Sequence, residues 1–308
     1  MIITPGATGR LGGHGAMLAF SMLVAGSFSL GSLAAPHIDP GALTALRFAL
    51  AALAIGLVLL VTGRLGALRA GGRAPWRHGV LGGLMAIYFV LMFEGLKTAT
   101  PVSAAAVFTL TPPMAGLFGW FLLRQPTTPR MALALAVGGA GALWVIFRAD
   151  LSRLAAFHVG RGEAIYFVGC VAHAVYAPMV RRLTRGEAPL VFAYYVMAAG
   201  GVILSVQSAP AILRTDWAHL PAIVWVTLAY VALAASAATA MLLQYAAMRL
   251  PAAKVMAYTY LVPSWVILWE LTRRASAPPL LVLPGVAMTV AALWMLLKED
   301  APLATPAV

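Results

Sequence analysis

The sequence predicts an all-α membrane protein of ten transmembrane helices, built as two inverted five-helix repeats, and three observations carry that prediction. Hydrophobic residues fill 62% of the 308 positions and charged residues only 10%, with a mean hydropathy of +0.91. A soluble domain needs roughly 25% charged residues to face water, so most of this surface must face lipid. The polar residues gather between apolar runs of about 20 residues, the length that crosses a bilayer as a helix. The third observation is an internal register of 150 residues, described below.

In chain order the apolar runs are 15–35, 41–62, 78–97, 101–123, 130–147, 163–180, 189–209, 220–246, 251–272 and 279–298. Separators rich in Pro, Gly and Arg stand between them, such as Pro36 to Pro40, Arg64 to Arg77, Arg124 to Arg130 and Arg148 to Arg161. The first run, with Arg10 ahead of it and Ser32-Leu33-Ala34 behind, also fits a cleavable signal peptide. Its length suits a span and it has a counterpart in the second half, so it is counted as the first helix.

The net charge of +12 would point to nucleic acid in a soluble protein. Here the basic residues sit in loops, where the positive-inside rule accounts for them without a polyanion. With the N-terminus inside, thirteen Lys and Arg fall on the inner side and seven on the outer, which places both termini in the cytoplasm. The one cysteine, Cys170, lies within an apolar run and offers no disulfide framework. No metal-binding, phosphate-binding or cofactor motif appears, so no metal, cofactor or obligatory protein partner is expected.

Sliding the chain on itself by 150 residues superposes Pro101 on Pro251, Thr109 on Thr259, Pro113 on Pro263, Arg124 on Arg274, Pro129 on Pro279 and Leu143-Trp144 on Leu293-Trp294. One register held through two helices and a loop argues for a duplicated unit. The halves are 1–150 and 151–308. Five helices is an odd number, so the second unit enters the membrane upside down. Inverted repeats with a site at their seam are the architecture of secondary transporters.

At these residues the chain resembles the drug/metabolite transporter superfamily in its ten-helix EamA-type branch. The segments Ala99 to Pro113 and Leu250 to Pro263 are similar to that family's fourth and ninth helices, and Arg47 resembles an arginine common in its second. Many members carry Gly-Glu where this chain has Arg124-Gln125 and Arg274-Ala275, a departure that leans toward the YddG-type aromatic amino-acid exporter branch. The resemblance implies a bacterial inner-membrane location and a central cavity lined by helices 1, 3, 4, 6, 8 and 9. It also implies a small-molecule substrate, an amino acid.

Polar and aromatic groups inside a span are costly unless paired or facing water, so each is a candidate site residue. Spacings of three or four put Tyr166, Cys170, His173 and Tyr176 on one face of helix six, and spacings of four and seven put Lys254, Tyr258, Trp265 and Trp269 on a similar stripe of helix nine. Helix three adds Tyr88 and Met92, and helix eight Ser236, Thr239 and Gln244. The expected substrate-binding set is Tyr88, Met92, His173, Tyr176, Ser236, Lys254, Tyr258 and Trp265, which suits a ligand with a flat apolar body and few polar atoms. Lys254 can instead snorkel to the surface, Arg47 can pair with Glu94, and His173 can be a packing histidine. Pro112, Pro113 and Pro263 should free the carbonyls of Phe108, Thr109 and Thr259 and kink their helices, and Pro113 and Pro263 are the expected hinges. The glycine pairs Gly82-Gly83, Gly138-Gly139 and Gly200-Gly201 should mark close helix packing.

None of the nine acidic residues falls at the middle of a span. Proton-driven antiport needs an intramembrane carboxylate, so exchange or facilitated diffusion is expected. Two other readings stay open: a sugar-nucleotide-type exchanger, which needs cationic clamps, and an intramembrane enzyme, for which no catalytic constellation is present.

Overall fold

The computed structural model describes residues 7–298 except 73, 125–127, 148, 151, 153–158, 248, 251 and 274–278. The described residues contain helices and no strand. We number the ten long helices α1 (Ala7–Ala34), α2 (Pro40–Val61), α3 (Trp76–Gly95), α4 (Pro101–Leu123), α5 (Pro129–Ile146), α6 (Arg161–Leu183), α7 (Pro189–Gln207), α8 (Ala222–Ala229 continuing through Thr239–Ala247), α9 (Ala252–Ala257 through Val262–Thr272) and α10 (Leu280–Lys298). Nine are long and apolar enough to cross a membrane, and α9 is the tenth segment. Short helices at Gly66–Gly71 and Ala209–Arg214 lie between them.

The helix starts follow from local chemistry. The Asp39 carboxylate accepts from the backbone N–H groups of Gly41 (2.8 Å) and Ala42 (3.0 Å), and Pro40 supplies a fixed φ at the first helical position. Thr100 and Thr128 cap α4 and α5 in the same way, each followed by a proline. The structure extends α1 back to Ala7, eight residues before its apolar run begins, and carries α6 through Pro178 to Leu183.

At these prolines the helices are interrupted, where the sequence predicts kinks within continuous helices. The first segment of α4 ends at Phe108 and the second starts at Thr111, with Pro112 and Pro113 in its first turn. In α9 a 3-10 turn, Tyr258–Leu261, separates the two segments, and Pro263 sits in the first turn of the second. Proline lacks an N–H, and the first turn of a helix is where that loss costs nothing. The sequence did not foreshadow the break in α8, where Tyr230–Ala238 is wound as a π-helix.

The ends of the helices define two faces: the terminus face, holding the start of α1 and the end of α10, and the far face opposite. The packing is pseudo-symmetric. α3 packs on α6 as α8 packs on α1, α4 on α6 as α9 on α1, and α3 on α7 as α8 on α2. α2 pairs with its counterpart α7, and α5 with α10. Two three-helix bundles result, α3–α4–α6 and α1–α8–α9.

Glycine sets the closest crossings. A Cβ on Gly82 would meet the Gly200 nitrogen at 2.5 Å, one on Gly95 the Gly162 carbonyl at 2.6 Å, and one on Gly141 the Gly285 carbonyl at 2.5 Å. Gly138 takes the Tyr260 ring, whereas Gly139 has nothing within 4 Å, so of that pair only Gly138 is a packing position.

At the terminus face, Arg77 anchors the α6–α7 loop. Its guanidinium donates to the Leu183 carbonyl and to Glu187 Oε1 (2.6 Å), and the Arg185 backbone N–H donates to Glu187 Oε2 (2.6 Å). Gly186, at φ +82°, makes the turn that brings the carboxylate round. Burial pushes the Glu187 pKa up and is the largest single influence. The hydrogen bonds from Arg77 and from the Arg185 and Glu187 backbone, with the Arg77 charge, together hold it below its ordinary 4.5. A carboxylate depressed on folding stabilises above its unfolded pKa, and that stability is lost as pH falls through the folded value. Melts of the detergent-solubilised protein should therefore weaken below about pH 4.5. Glu187→Gln should lower Tm by several degrees at neutral pH and flatten that acid decline. Identical acid profiles for both proteins would remove this role.

Candidate functional site

The far half of the helix bundle is closed by aromatic rings from four helices, drawn from both bundles. Phe28 on α1 packs against Phe108 on α4 (ring centroids 6.0 Å) and Tyr166 on α6 (5.9 Å). Tyr88 on α3 joins them, and the Tyr166 hydroxyl donates to the Tyr88 hydroxyl at 3.0 Å. All four rings are buried. Each lies two turns or less from the far-face end of its helix segment.

Buried polar contacts surround this plug toward the far face. The Ser103 hydroxyl donates to Glu163 Oε1 (2.7 Å) between α4 and α6. On the other bundle Arg273 donates to Glu270 Oε1 (2.9 Å) and to the Ser29 carbonyl (3.2 Å). The α3–α6 crossing at Gly95 and Gly162 lies at the same level.

One step from the plug toward the terminus face stand His173 and Tyr176. The His173 ring is 4.6 Å from Tyr88 and 5.6 Å from Phe108, and Tyr176 stacks on it at 6.1 Å. His173 Nδ1 is buried without a hydrogen-bond partner. Burial loosens here: His173, Tyr176 and Met179 on α6 and Val24 on α1 are only partly buried.

The two bundles show the same asymmetry. The first segment of α4 packs on α1 and on the second segment of α9, both near the far face. Among the described residues the symmetry-related pairing, second segment of α4 with first segment of α9, is sparse at most. The bundles therefore meet at the far face and share few contacts toward the terminus face, and His173 and Tyr176, the partly buried members of the ring cluster, lie on the terminus-face side of the plug.

The expected site residues thus separate into groups. Tyr88, His173 and Tyr176 come together, and Met92 is fully buried in the same core. Tyr258 and Trp265 belong to the other bundle, each tied to α1: Tyr258 OH lies 2.8 Å from His14 Nδ1, and Trp265 Nε1 donates to Ser21 Oγ at 3.0 Å. The Lys254 side chain lies outside the described residues, as does that of Gln244. Ser236 is buried and engaged on both sides: it donates to the Val231 carbonyl (2.8 Å) and accepts from Arg47 Nε (3.0 Å). Its hydroxyl helps hold the π-helix and is not turned to open space.

Arg47 does not pair with Glu94. Glu94 accepts from Lys97 (2.6 Å), while Arg47 also donates to the Ala235 carbonyl (3.3 Å) and lies 3.5 Å over the Phe89 ring. The π-helix accounts for this. Its wider turn leaves carbonyls off the regular ladder, and a guanidinium fork with a flat apolar face can take one while stacking on an aromatic ring. Sequence spacing gave no sign of a π-helix, so this partner was not visible beforehand. His14 was missed too, because it precedes the apolar run that defined the first helix.

Comparison with known proteins agrees with this architecture. The model of the EamA-like transporter family matches twice, over residues 11–147 and 160–298. The chain is 27% identical over 220 residues, 70% of its length and 71% of the relative's, to the "Uncharacterized transporter YyaM" of Bacillus subtilis (strain 168). A solved crystal structure shares the fold with a TM-score of 0.64 at 21% identity, covering 94% of this chain and 96% of that one. With two family matches that between them span both five-helix units, the chain belongs to the EamA-like transporter family, within the drug/metabolite transporter superfamily.

Proposed function

We propose that this transporter exports aromatic and other hydrophobic amino acids from the cytoplasm by alternating access between its two bundles. The observation that carries the reading is the ring cluster beside the plug, where the His173 ring lies 4.6 Å from that of Tyr88 and 6.1 Å from that of Tyr176. Flat apolar surfaces with single polar tips suit a side chain such as that of phenylalanine or tryptophan. With both termini cytoplasmic, as the positive-inside count favours, the bundles share few contacts toward the cytoplasm and the Phe28–Phe108–Tyr166 plug closes the outer side. That is the state in which an exporter takes up its substrate. The helix breaks at Pro113 and Pro263 stand at related positions in α4 and α9, which suits them as hinges.

The described acidic residues support exchange or facilitated diffusion. Glu163 and Glu270 lie at far-face ends of helices and are bonded to Ser103 and Arg273, leaving the ring cluster without a carboxylate. A phosphorylated substrate would need a cationic clamp, and Arg47 gives Nε to Ser236 and Nη2 to Ala235 and stacks on Phe89, which leaves only a buried Nη1 unpaired.

Counterflow of labelled tryptophan or phenylalanine in proteoliposomes tests the proposal, and failure to move any neutral amino acid would end it. The same substrates should raise the melting temperature of the purified protein, and replacing Tyr88, His173 and Tyr258 together should remove the shift. An imposed pH gradient should not drive accumulation; if it does, the coupling assignment is wrong.

A further inference from the structure

We infer that the crevice between α3 and α7 on the far face is a binding site for one zwitterionic, amine-bearing phospholipid of the phosphatidylethanolamine type. The crevice has a volume of about 710 Å³ and is distinct from the ring cluster. Its walls are apolar: Ala86, Ile87, Val90 and Leu91 on α3 face Ile203 and Leu204 on α7. Its far-face rim is charged, with Asp39, Glu94 and Arg214.

The shape follows from the glycine crossing. Gly82 and Gly200 bring the two backbones into contact, and the helices splay from that point toward the far face. From Gly82 to Glu94 is about 18 Å at 1.5 Å per residue, close to the roughly 15 Å depth of one leaflet's hydrocarbon. The walls thus run the length of an acyl chain, and the charges stand at headgroup level. Gly83, at the bottom, meets only the tip of Ile203 at 4.0 Å.

The pseudo-symmetric position near the terminus face shows what such a space requires. There the protein fills it from its own chain. Tyr194 and Tyr195 of α7 pack with Ile55, Leu59, Ala237 and Leu68, and the Tyr195 hydroxyl donates to the Leu68 carbonyl (2.8 Å). The corresponding turn of α2, counted from its own opening proline, carries Ala45 and Leu46 in place of the two tyrosines. That turn offers no ring to fill the far-face crevice, which leaves it to the surrounding solvent, lipid.

The rim selects the headgroup. The Arg214 guanidinium, exposed at the end of the Ala209–Arg214 helix, suits a phosphate. The Asp39 carboxylate across the opening suits an ammonium, while Glu94 already holds Lys97 (2.6 Å). With two carboxylates and two cations, Arg214 and Lys97, the rim is balanced in charge and matches a zwitterion better than a net-anionic headgroup.

Native mass spectrometry of the full-length protein, titrated with phosphatidylethanolamine or phosphatidylglycerol, tests this without any transport readout. One phosphatidylethanolamine should be retained in preference to phosphatidylglycerol. Arg214→Gln, a surface change, should weaken retention about tenfold, the weight of one charge-assisted hydrogen bond. Gly83→Leu should abolish it by occupying the crevice, while Gly139→Leu, on the α5 surface, should leave it unchanged. Equal retention of the two lipids, or wild-type retention by Arg214→Gln, would overturn the proposal.

Discussion

Gly162→Val should be the most damaging single substitution in the far half of the protein, lowering Tm by several degrees and abolishing flux. A Cβ at this position would stand 2.4 Å from the Gly95 carbonyl oxygen, 2.6 Å from the Ala99 nitrogen and 2.6 Å from Thr98 Oγ1. Two of these are backbone atoms, which cannot rotate aside as a side-chain tip can. α3 and α6 would have to separate along their whole crossing, and overpacking of this kind costs about 1–3 kcal/mol or more. The consequence reaches function because that crossing brings Tyr88 against Tyr166 and so sets the plug. Gly139→Ala, where nothing lies within 4 Å, is the matched control and should melt as the wild type does. A Gly162→Val protein with wild-type melting and transport would show that the seal is not built on this contact.

Phe28→Ala should open the far-face plug while leaving each bundle internally intact. Phe28 is the ring from α1 that reaches across to Phe108 and Tyr166, so its loss removes a contact between bundles. Truncating a buried Phe costs about 3–5 kcal/mol where the site cannot collapse, enough to shift a two-state equilibrium by more than tenfold. Cys170 is a built-in reporter. It is buried one turn below Tyr166 on α6, and it is the only cysteine in the chain. A membrane-impermeant maleimide applied at the far face should label the wild type slowly and Phe28→Ala on the order of ten times faster. Unchanged labelling would mean that the seal lies elsewhere, with the Ser103–Glu163 and Arg273–Ser29 contacts the next to test.

How much of the site could be read beforehand is clear from particular residues. Helical spacing placed Tyr166, Cys170, His173 and Tyr176 on one face of α6, and that face does meet Tyr88. Spacing is a statement about one helix, so it could not separate Tyr166, sealed in the plug, from His173 and Tyr176, which are only partly buried. Nor could it show that Arg47 Nε donates to Ser236, because that bond joins residues 189 positions apart through a π-helix. The expected Arg47–Glu94 pair came from matching opposite charges at similar depth. The structure replaced it with a hydroxyl, a carbonyl and an aromatic face.

The sequence by itself determined the membrane environment, the helical spans, the positions of the interruptions at Pro112, Pro113 and Pro263, and the duplicated plan. Each rests on composition, on local backbone chemistry or on a repeat visible along one dimension. Only the tertiary structure decided which halves of the bundles touch. Two inverted repeats of similar sequence can meet at either face, and the choice depends on side chains from α1, α3, α4 and α6 packing across distances that no local pattern encodes. The far-face plug, the sparse contact toward the terminus face and the unfilled crevice between α3 and α7 all follow from that long-range choice.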